Sequence, residues 1–427
     1  MNFLFATWEG GGSVGPALTV ARKLAGRRHR VRVMSDRCNR AEAEAAGADF
    51  RPWTRAPSRP DRSRGSEILR DWEGATPQEQ FARLSERIMA GPALAYAEDM
   101  AEELSREPAD LVVTSEMLFG VMIACEARGQ RFALLTANCS LFPIEGIPPM
   151  GPGLAPPRDA AEVALHAEIA QANRTLFDGG LPAVNAARAT FGLAPLSGLA
   201  DQHRAAERLL LGTSRAFDFA PAALPPDIVY VGPQLDDPAW AAPWRSPWPA
   251  DDGRPLVLVA FSTSFQDHAG VLQTIIDGAA ALPIRLLVTL GDTIAPEELV
   301  RADNCRLIHS APHNQVMAEA AAVVTHGGHG TVARALAHRR PLIVVPHGRD
   351  QNDNAVRVAA RGAGIALAPS SSPAAFSAAI EAVLGDPAYA EAADALGAAI
   401  AREADEACVV EELERLVAGP VPVNRAA

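Results

Sequence analysis

Residues 323–366 carry the densest run of chemically capable side chains in this 427-residue chain. His326-Gly327-Gly328-His329-Gly330-Thr331 follows the apolar run 321–325 and reads as a strand, a glycine turn and a helix opening at Thr331. Glycines at such a turn let the main chain approach a ligand closely. A helix start adds unpaired N–H donors and a partial positive charge, so the turn suits a diphosphate, with His326, Gly328, Gly330 and Thr331 beside it. An ordinary tight strand-to-helix turn would use the same glycines. The next strand, 341–346, runs into His347-Gly348-Arg349-Asp350-Gln351. That order places a carboxylate and an amide at a strand's carboxyl end, where open α/β sheets bind ligands and where Asp350 and Gln351 can bridge sugar hydroxyls.

The elements around this run repeat one logic. Residues 2–7 read as an apolar strand, 10–13 as a turn, 16–24 as a helix with proline in its first turn, 31–34 as a second strand and 36–46 as a helix. With 111–115, 132–136, 208–212 and 228–231 as further strands, this predicts a parallel, doubly wound sheet. Residues 233–255 are rich in Pro, Trp and Asp and read as a linker. The alternation restarts at 256–261, passes Ser262-Thr263-Ser264, a helix, strand 284–290, Gly291 and strand 306–309, and ends in amphipathic helices. The fold class is α/β with two Rossmann-like domains, 1–232 and 256–404, followed by 405–427; 427 residues suit two cores better than one.

Hydrophobic residues make up 48% of the chain, and a net charge of −12 with a pI near 5.4 argues against a nucleic-acid partner. Cys38, Cys125, Cys139, Cys305 and Cys408 are odd in number and scattered, which predicts reduced thiols rather than a disulfide framework or a zinc site. No stretch approaches the ~20 apolar residues of a membrane span. The N-terminus lacks a leader pattern, so a cytoplasmic protein is expected. Between residues 50 and 77, Arg51, Arg55, Arg59, Arg62, Arg64 and Arg70 are threaded with Trp53 and Trp72. They read as a solvated flexible insertion, or as a basic loop over a cleft. Residues 138–157 form a Pro- and Gly-rich loop at a strand's carboxyl end, whose Phe142, Ile144, Ile147 and Met150 either line an apolar acceptor pocket or cover the sheet.

The His326–Thr331 run, with Arg340-Pro341, Asp350-Gln351, Asn354-Ala355 and Gly362-Ala363-Gly364, resembles the donor-binding signature of family 1 glycosyltransferases, of the bacterial natural-product or macrolide type. The resemblance implies two facing Rossmann-like domains (the GT-B fold), a nucleotide-diphosphate sugar in the cleft and inversion at the anomeric carbon. It also implies that the last helix crosses back to the first domain. The donor is then a substrate, with no further cofactor. Ser262, Thr263 and Ser264 join His326 at the phosphates, while Gly291 and His313 stand where the family touches ribose and base. Ser310 replaces the stacking Trp of plant members, leaving uracil or thymine open. Without a D-x-D pair, no metal is called for.

The chain departs from the family at the proton-accepting position. The usual His after the first strand corresponds to Ser13, and its orienting Asp to Ser115. Serine is a weak base, and missing base assistance typically costs ~10²–10⁴-fold. Glu116 and Glu9, each just past a first-domain strand, are candidate replacements; for both, a surface or capping role competes. Trp8 and Phe119 are acceptor walls or core. His347 lies where it can approach the reacting sugar, and His29 reads as surface structure. The leading expectation is transfer of a sugar from a UDP or TDP donor to a small, largely apolar acceptor, aromatic or polyketide-like, through oxygen or carbon. The alternatives are a catalytically weak or inactive relative acting as a nucleotide-binding or partner protein, and a nucleotide-sugar epimerase. Partners are the donor and a small acceptor; a homo-oligomer is left open.

If the missing base limits the rate, Ser13→His raises turnover of aliphatic alcohols by up to ~10²–10⁴-fold. Acceptor-dependent diphosphate release measures this, and an unchanged rate refutes the limit.

Overall fold

A computed structural model describes residues 1–420 except 11, 75, 238–242, 262–267, 292–293 and 407. Strands β1 (Asn2–Ala6), β2 (Arg30–Ser35), β3 (Asp49–Pro52), β4 (Leu111–Thr114), β5 (Phe132–Leu135), β6 (Arg208–Leu211) and β7 (Ile228–Tyr230) form one sheet, ordered β3-β2-β1-β4-β5-β6-β7. Strands β8 (Leu256–Ala260), β9 (Arg285–Thr289), β10 (Cys305–Ile308), β11 (Ala322–Thr325), β12 (Leu342–Val344) and β13 (Gly364–Ala366) form a second, ordered β10-β9-β8-β11-β12-β13. All pairings are parallel.

Crossover helices cover both faces of each sheet, so the central strands read as continuous apolar runs. The period of two still sorts their side chains. Phe3 and Phe5 enter the core beside the helix Val14–Gly26, whereas Leu4 and Ala6 enter the opposite core with Tyr96 and Phe119. In β8, Val257 and Val259 face one side, and Leu256, Leu258 and Ala260 the other. Strand order reverses between β1 and β4 and between β8 and β11, which opens a crevice at the carboxyl ends of each sheet.

The domains meet through specific contacts. Arg357 pairs with Asp218 at 2.7 Å, the side chains being 3% and 1% exposed. His329 Nε2 lies 2.8 Å from Thr213 Oγ1, and Ser214 Oγ donates to Glu403 at 2.6 Å. The described parts of the linker 233–255 pack on the second domain: Trp248 is buried in its core, and Asn314 Nδ2 donates to the Leu235 carbonyl at 2.8 Å. The chain then returns. Val409, Val410, Leu413 and Leu416 of the helix Val409–Ala418 pack beside Phe3, Phe5 and Leu24, and Glu414 accepts from Arg27 at 2.8 Å and meets His29 at 2.7 Å. This helix starts at Val409 rather than Asp405, because the preceding helix runs through Pro387–Glu406.

Two local expectations need correction. Residues 36–46 are not one helix but a short turn, Arg37–Asn39, followed by Arg40–Ala45. The Asp36 carboxylate is committed instead to the main-chain N–H groups of Glu9, at 2.8 Å, and Arg59, at 2.7 Å. The arginine-rich segment is ordered by ion pairs, although Arg55, Arg64 and Arg70 stay exposed: Arg55 pairs with Asp99 and Glu102, Arg59 with Glu67, and Arg62 with Glu42 and Glu9, while Asp71 reaches Arg349 of the second domain. Among the described residues no helix is long and apolar enough to cross a membrane.

Leu413 is fully buried, so Leu413→Ala is expected to destabilise the protein by about 2–5 kcal/mol. Equilibrium denaturation measures the loss.

Candidate functional site

The carboxyl end of β11 turns through His326 and Gly327, the latter at φ +95°, into the helix His329–Ala337. The helix therefore opens at His329, before Thr331, with Gly328 at its N-cap and no side chain capping it. Each glycine has its own reason. A Cβ on Gly327 would lie 2.7 Å from Val344 Cγ1, and one on Gly328 would lie 2.6 Å from His326 Nε2. Gly328 thus clears room for the imidazole, whereas a Cβ on Gly330 would point into open space. The half-buried Thr331 sits in the first turn, its N–H 3.0 Å from the Gly328 carbonyl.

Beside this turn lies a cluster that sequence reasoning found only in part. The His268 ring is 4.5 Å from His347 and 5.9 Å from His326, and Phe261 packs within 5.9 Å of all three. Burial holds His326 near a pKa of about 4 and His268 at about 2, and it also lowers His347. The imidazoles are therefore neutral at pH 7, working through hydrogen bonds rather than charge. An anion arriving among them would raise those values. His326 Nδ1 and His268 Nε2 are buried without a hydrogen-bond partner among the described residues, a costly state for polar atoms. His347 Nδ1 lies 2.8 Å from the Val345 carbonyl, which makes that nitrogen the donor and leaves Nε2 as the acceptor.

After β12, Gln351 is 2% exposed and its Oε1 accepts from the His347 N–H at 2.6 Å. Asp350 accepts from Asn354 at 2.9 Å and, across the domains, from Asn138 at 3.3 Å. The structure thus brings His326, Gly328, Asp350 and Gln351 together with His347 and His268. Gly291, at φ +58°, follows β9 with open space beside it, and His313 begins the helix His313–Glu319 after β10, its pKa lowered to about 4 by burial and Arg334. These two stand on the other side of β8. Ser262, Thr263 and Ser264 lie outside the described residues. His329, the second histidine of the motif, turns away to Thr213 and Phe217.

The first-domain candidates follow the carboxyl ends of β1, β4 and β5. Ser13 is the N-cap of the helix Val14–Gly26, with no side-chain cap bond. Ser115 Oγ accepts from the Met117 N–H at 3.3 Å. Glu9 meets Arg62 at 3.3 Å. Trp8 is buried, its ring so close over Gly10 that a Cβ there would fall 2.1 Å from it, and its Nε1 has no partner among the described residues. Phe119 and Phe142 are core: Phe142 packs 5.9 Å from Phe119, 4.8 Å from Phe177 and 4.2 Å from His203. Ile144 is likewise buried, against Leu211 and Tyr230.

Glu116 differs from the others. Its oxygens accept from Ser140 Oγ and the Leu141 N–H, both at 3.0 Å, and its backbone carbonyl lies 2.8 Å from His203 Nε2. Burial outweighs those bonds and raises its pKa to about 7. Sequence reasoning missed His268, Asn138 and His203. Asn138 alone left a signal, since it stands just past a strand's carboxyl end.

Residues 273–416 match the model of the "Erythromycin biosynthesis protein CIII-like, C-terminal domain" family. The chain is 28% identical over 374 residues to 4'-demethylrebeccamycin synthase of Lentzea aerocolonigenes, covering 85% of this chain and 87% of that protein. It is 26% identical over 374 residues to demethyllactenocin mycarosyltransferase of Streptomyces fradiae, covering 84% and 74%. The crystal structure of a calicheamicin glycosyltransferase superposes with a TM-score of 0.76 at 22% identity over 99% of both chains, the same fold.

If this turn holds the nucleoside diphosphate that the resemblance implies, Gly328→Ala, whose Cβ would meet His326, is expected to weaken that binding at least ~10-fold, the loss of one good hydrogen bond to a charged group. Titration calorimetry with UDP and TDP reads the change.

Proposed function

We infer that this chain, a glycosyltransferase of the natural-product type, moves a sugar from a UDP or TDP donor to a small, largely apolar acceptor, with inversion at the anomeric carbon. One observation carries the reading. An uncapped helix N-terminus, two unpartnered buried imidazole nitrogens and the Asp350-Gln351 pair converge at the carboxyl ends of β11 and β12. Relatives named for rebeccamycin and lactenocin chemistry support a natural-product acceptor.

The reaction has three demands. The diphosphate leaving group gains negative charge, which the N-terminus of the helix His329–Ala337 opposes through its dipole. This arrangement needs no divalent metal. Asp350 and Gln351 hold the sugar hydroxyls, which fixes the anomeric carbon for in-line attack. The acceptor oxygen must lose its proton as it forms the new C–O bond and the bond to diphosphate breaks.

For that proton we assign Glu116. Its pKa of about 7 is matched to a general base at neutral pH, and a carboxylate's four lone pairs exceed the three donors, Ser140 and the Leu141 and Phe142 N–H groups, that act on it. Glu9 is already engaged by Arg62, and the Ser13 hydroxyl is too weak. A carboxylate of this strength suits a phenolic or other acidic O–H better than an alkyl alcohol. The five free cysteines, none within a disulfide, support work in the reducing cytoplasm.

Activity requires ionised Glu116, so kcat/KM is expected to rise with pH through about 7 and then level. Glu116→Gln should remove that rise and lower kcat by ~10²–10⁴-fold. The measurement is acceptor-dependent diphosphate release. Nucleotide binding without any such release across an acceptor panel sinks the reading.

A further inference from the structure

The loop between β5 and the helix Ala160–Asp178 touches both halves of this reaction, and one carboxylate of the other domain holds it in place. We propose that Asp353 is a positioning residue for the transfer step: it clamps the first-domain loop onto the donor-side helix, so that the acceptor at Glu116 meets the sugar held by the Asp350-Gln351 pair in a fixed register. The proposal rests on the roles given above to Glu116 and Asp350.

Asp353 lies in the first turn of the helix Gln351–Ala360 and is only 4% exposed. Its carboxylate accepts from the Gly151 N–H at 2.8 Å and the Gly153 N–H at 3.3 Å, both from the first domain. Asn352 Nδ2 adds a bond to the Gly151 carbonyl at 3.1 Å. The loop is shaped for this approach. Gly151 and Gly153 have φ of +120° and +76°, and a Cβ on Gly153 would lie 2.7 Å from the Asn352 carbonyl oxygen. Side chains rarely adopt such backbone angles. Arg357, one turn along the helix, is paired with Asp218, and its contact with Asp353 is to the main-chain carbonyl, at 2.8 Å. The Asp353 carboxylate is therefore left to the loop's amides.

The other end of the loop carries the chemistry. Asn138 donates to Asp350, Cys139 enters the core of the donor domain, and Ser140 and Leu141 hold the Glu116 carboxyl. A loop pinned at 138–142 and again at 151–153 has little freedom between, which fixes where an acceptor can lie. Charge-assisted bonds from two N–H groups are strong enough to make Asp353 the main fastening.

The test uses the full chain with three variants. Asp353→Ala is expected to raise the acceptor KM and lower kcat, together reducing kcat/KM about 10- to 100-fold, while UDP or TDP affinity by calorimetry stays unchanged. Asp353→Asn, which keeps one acceptor oxygen, should fall between. Gly153→Ala strikes the loop side of the same contact and should give the same split even if Asp353→Ala folds poorly. Unchanged acceptor kinetics in both alanine variants, or an equal loss of nucleotide affinity, overturns the proposal. Hydrogen exchange supplies a readout that needs no turnover: the Gly151 and Gly153 amides should exchange about tenfold faster or more in Asp353→Ala. If the wild-type protein transfers no sugar, the functional reading fails while exchange still judges the clamp. Equal exchange in wild type and Asp353→Ala refutes the clamp itself.

Discussion

The buried ion pair between Arg357 and Asp218 is the constraint on which the rest of the cleft depends. Neither side chain reaches water, so each charge is tolerable only while the other is in place, and losing one partner of such a pair typically costs about 3–5 kcal/mol. Asp218 also accepts from the Tyr230 hydroxyl at 2.8 Å, which ties the pair to the last strand of the first sheet. Arg357 stacks 4.8 Å from the Phe219 ring, and its helix begins at Gln351. One electrostatic contact thus sets where the Asp350-Gln351 pair stands relative to the first domain.

Around that contact the two domains divide the chemistry by electrostatic character. The second domain offers a helix dipole and imidazoles held neutral by burial, with the Arg349 guanidinium among the charges that lower two of them. The acceptor side offers one carboxyl group whose proton affinity is raised by burial.

How much of this was legible depended on the range of each interaction. The strands were plain because parallel strands buried on both faces read as apolar runs, and the His326 turn and Asp350-Gln351 were plain because their neighbours in sequence are also their neighbours in space. Glu116 was visible as a carboxylate past a strand, but its proton affinity depends on Ser140 and Leu141, which fold over it from the next strand's end. His329 shares its motif with His326, yet it faces Thr213; spacing alone does not tell which way a ring turns. Phe119 and Phe142 show the same limit, since a pocket wall and a core residue have the same composition. Arg59, by contrast, is buried against Glu67, while Arg55, Arg64 and Arg70 stay exposed, a difference that a run of arginines does not announce.

The return of the last helix to the first domain has a consequence for the protein as a modular object. The chain crosses between the two domains twice, once through 233–255 and again after the helix Pro387–Glu406, so the first domain is assembled from both ends of the polypeptide. A recombinant exchange of one donor domain for another with a single junction would carry away Val409, Val410, Leu413 and Leu416 with it. The recipient would then keep a foreign helix against Phe3 and Phe5, and a clean graft requires two junctions.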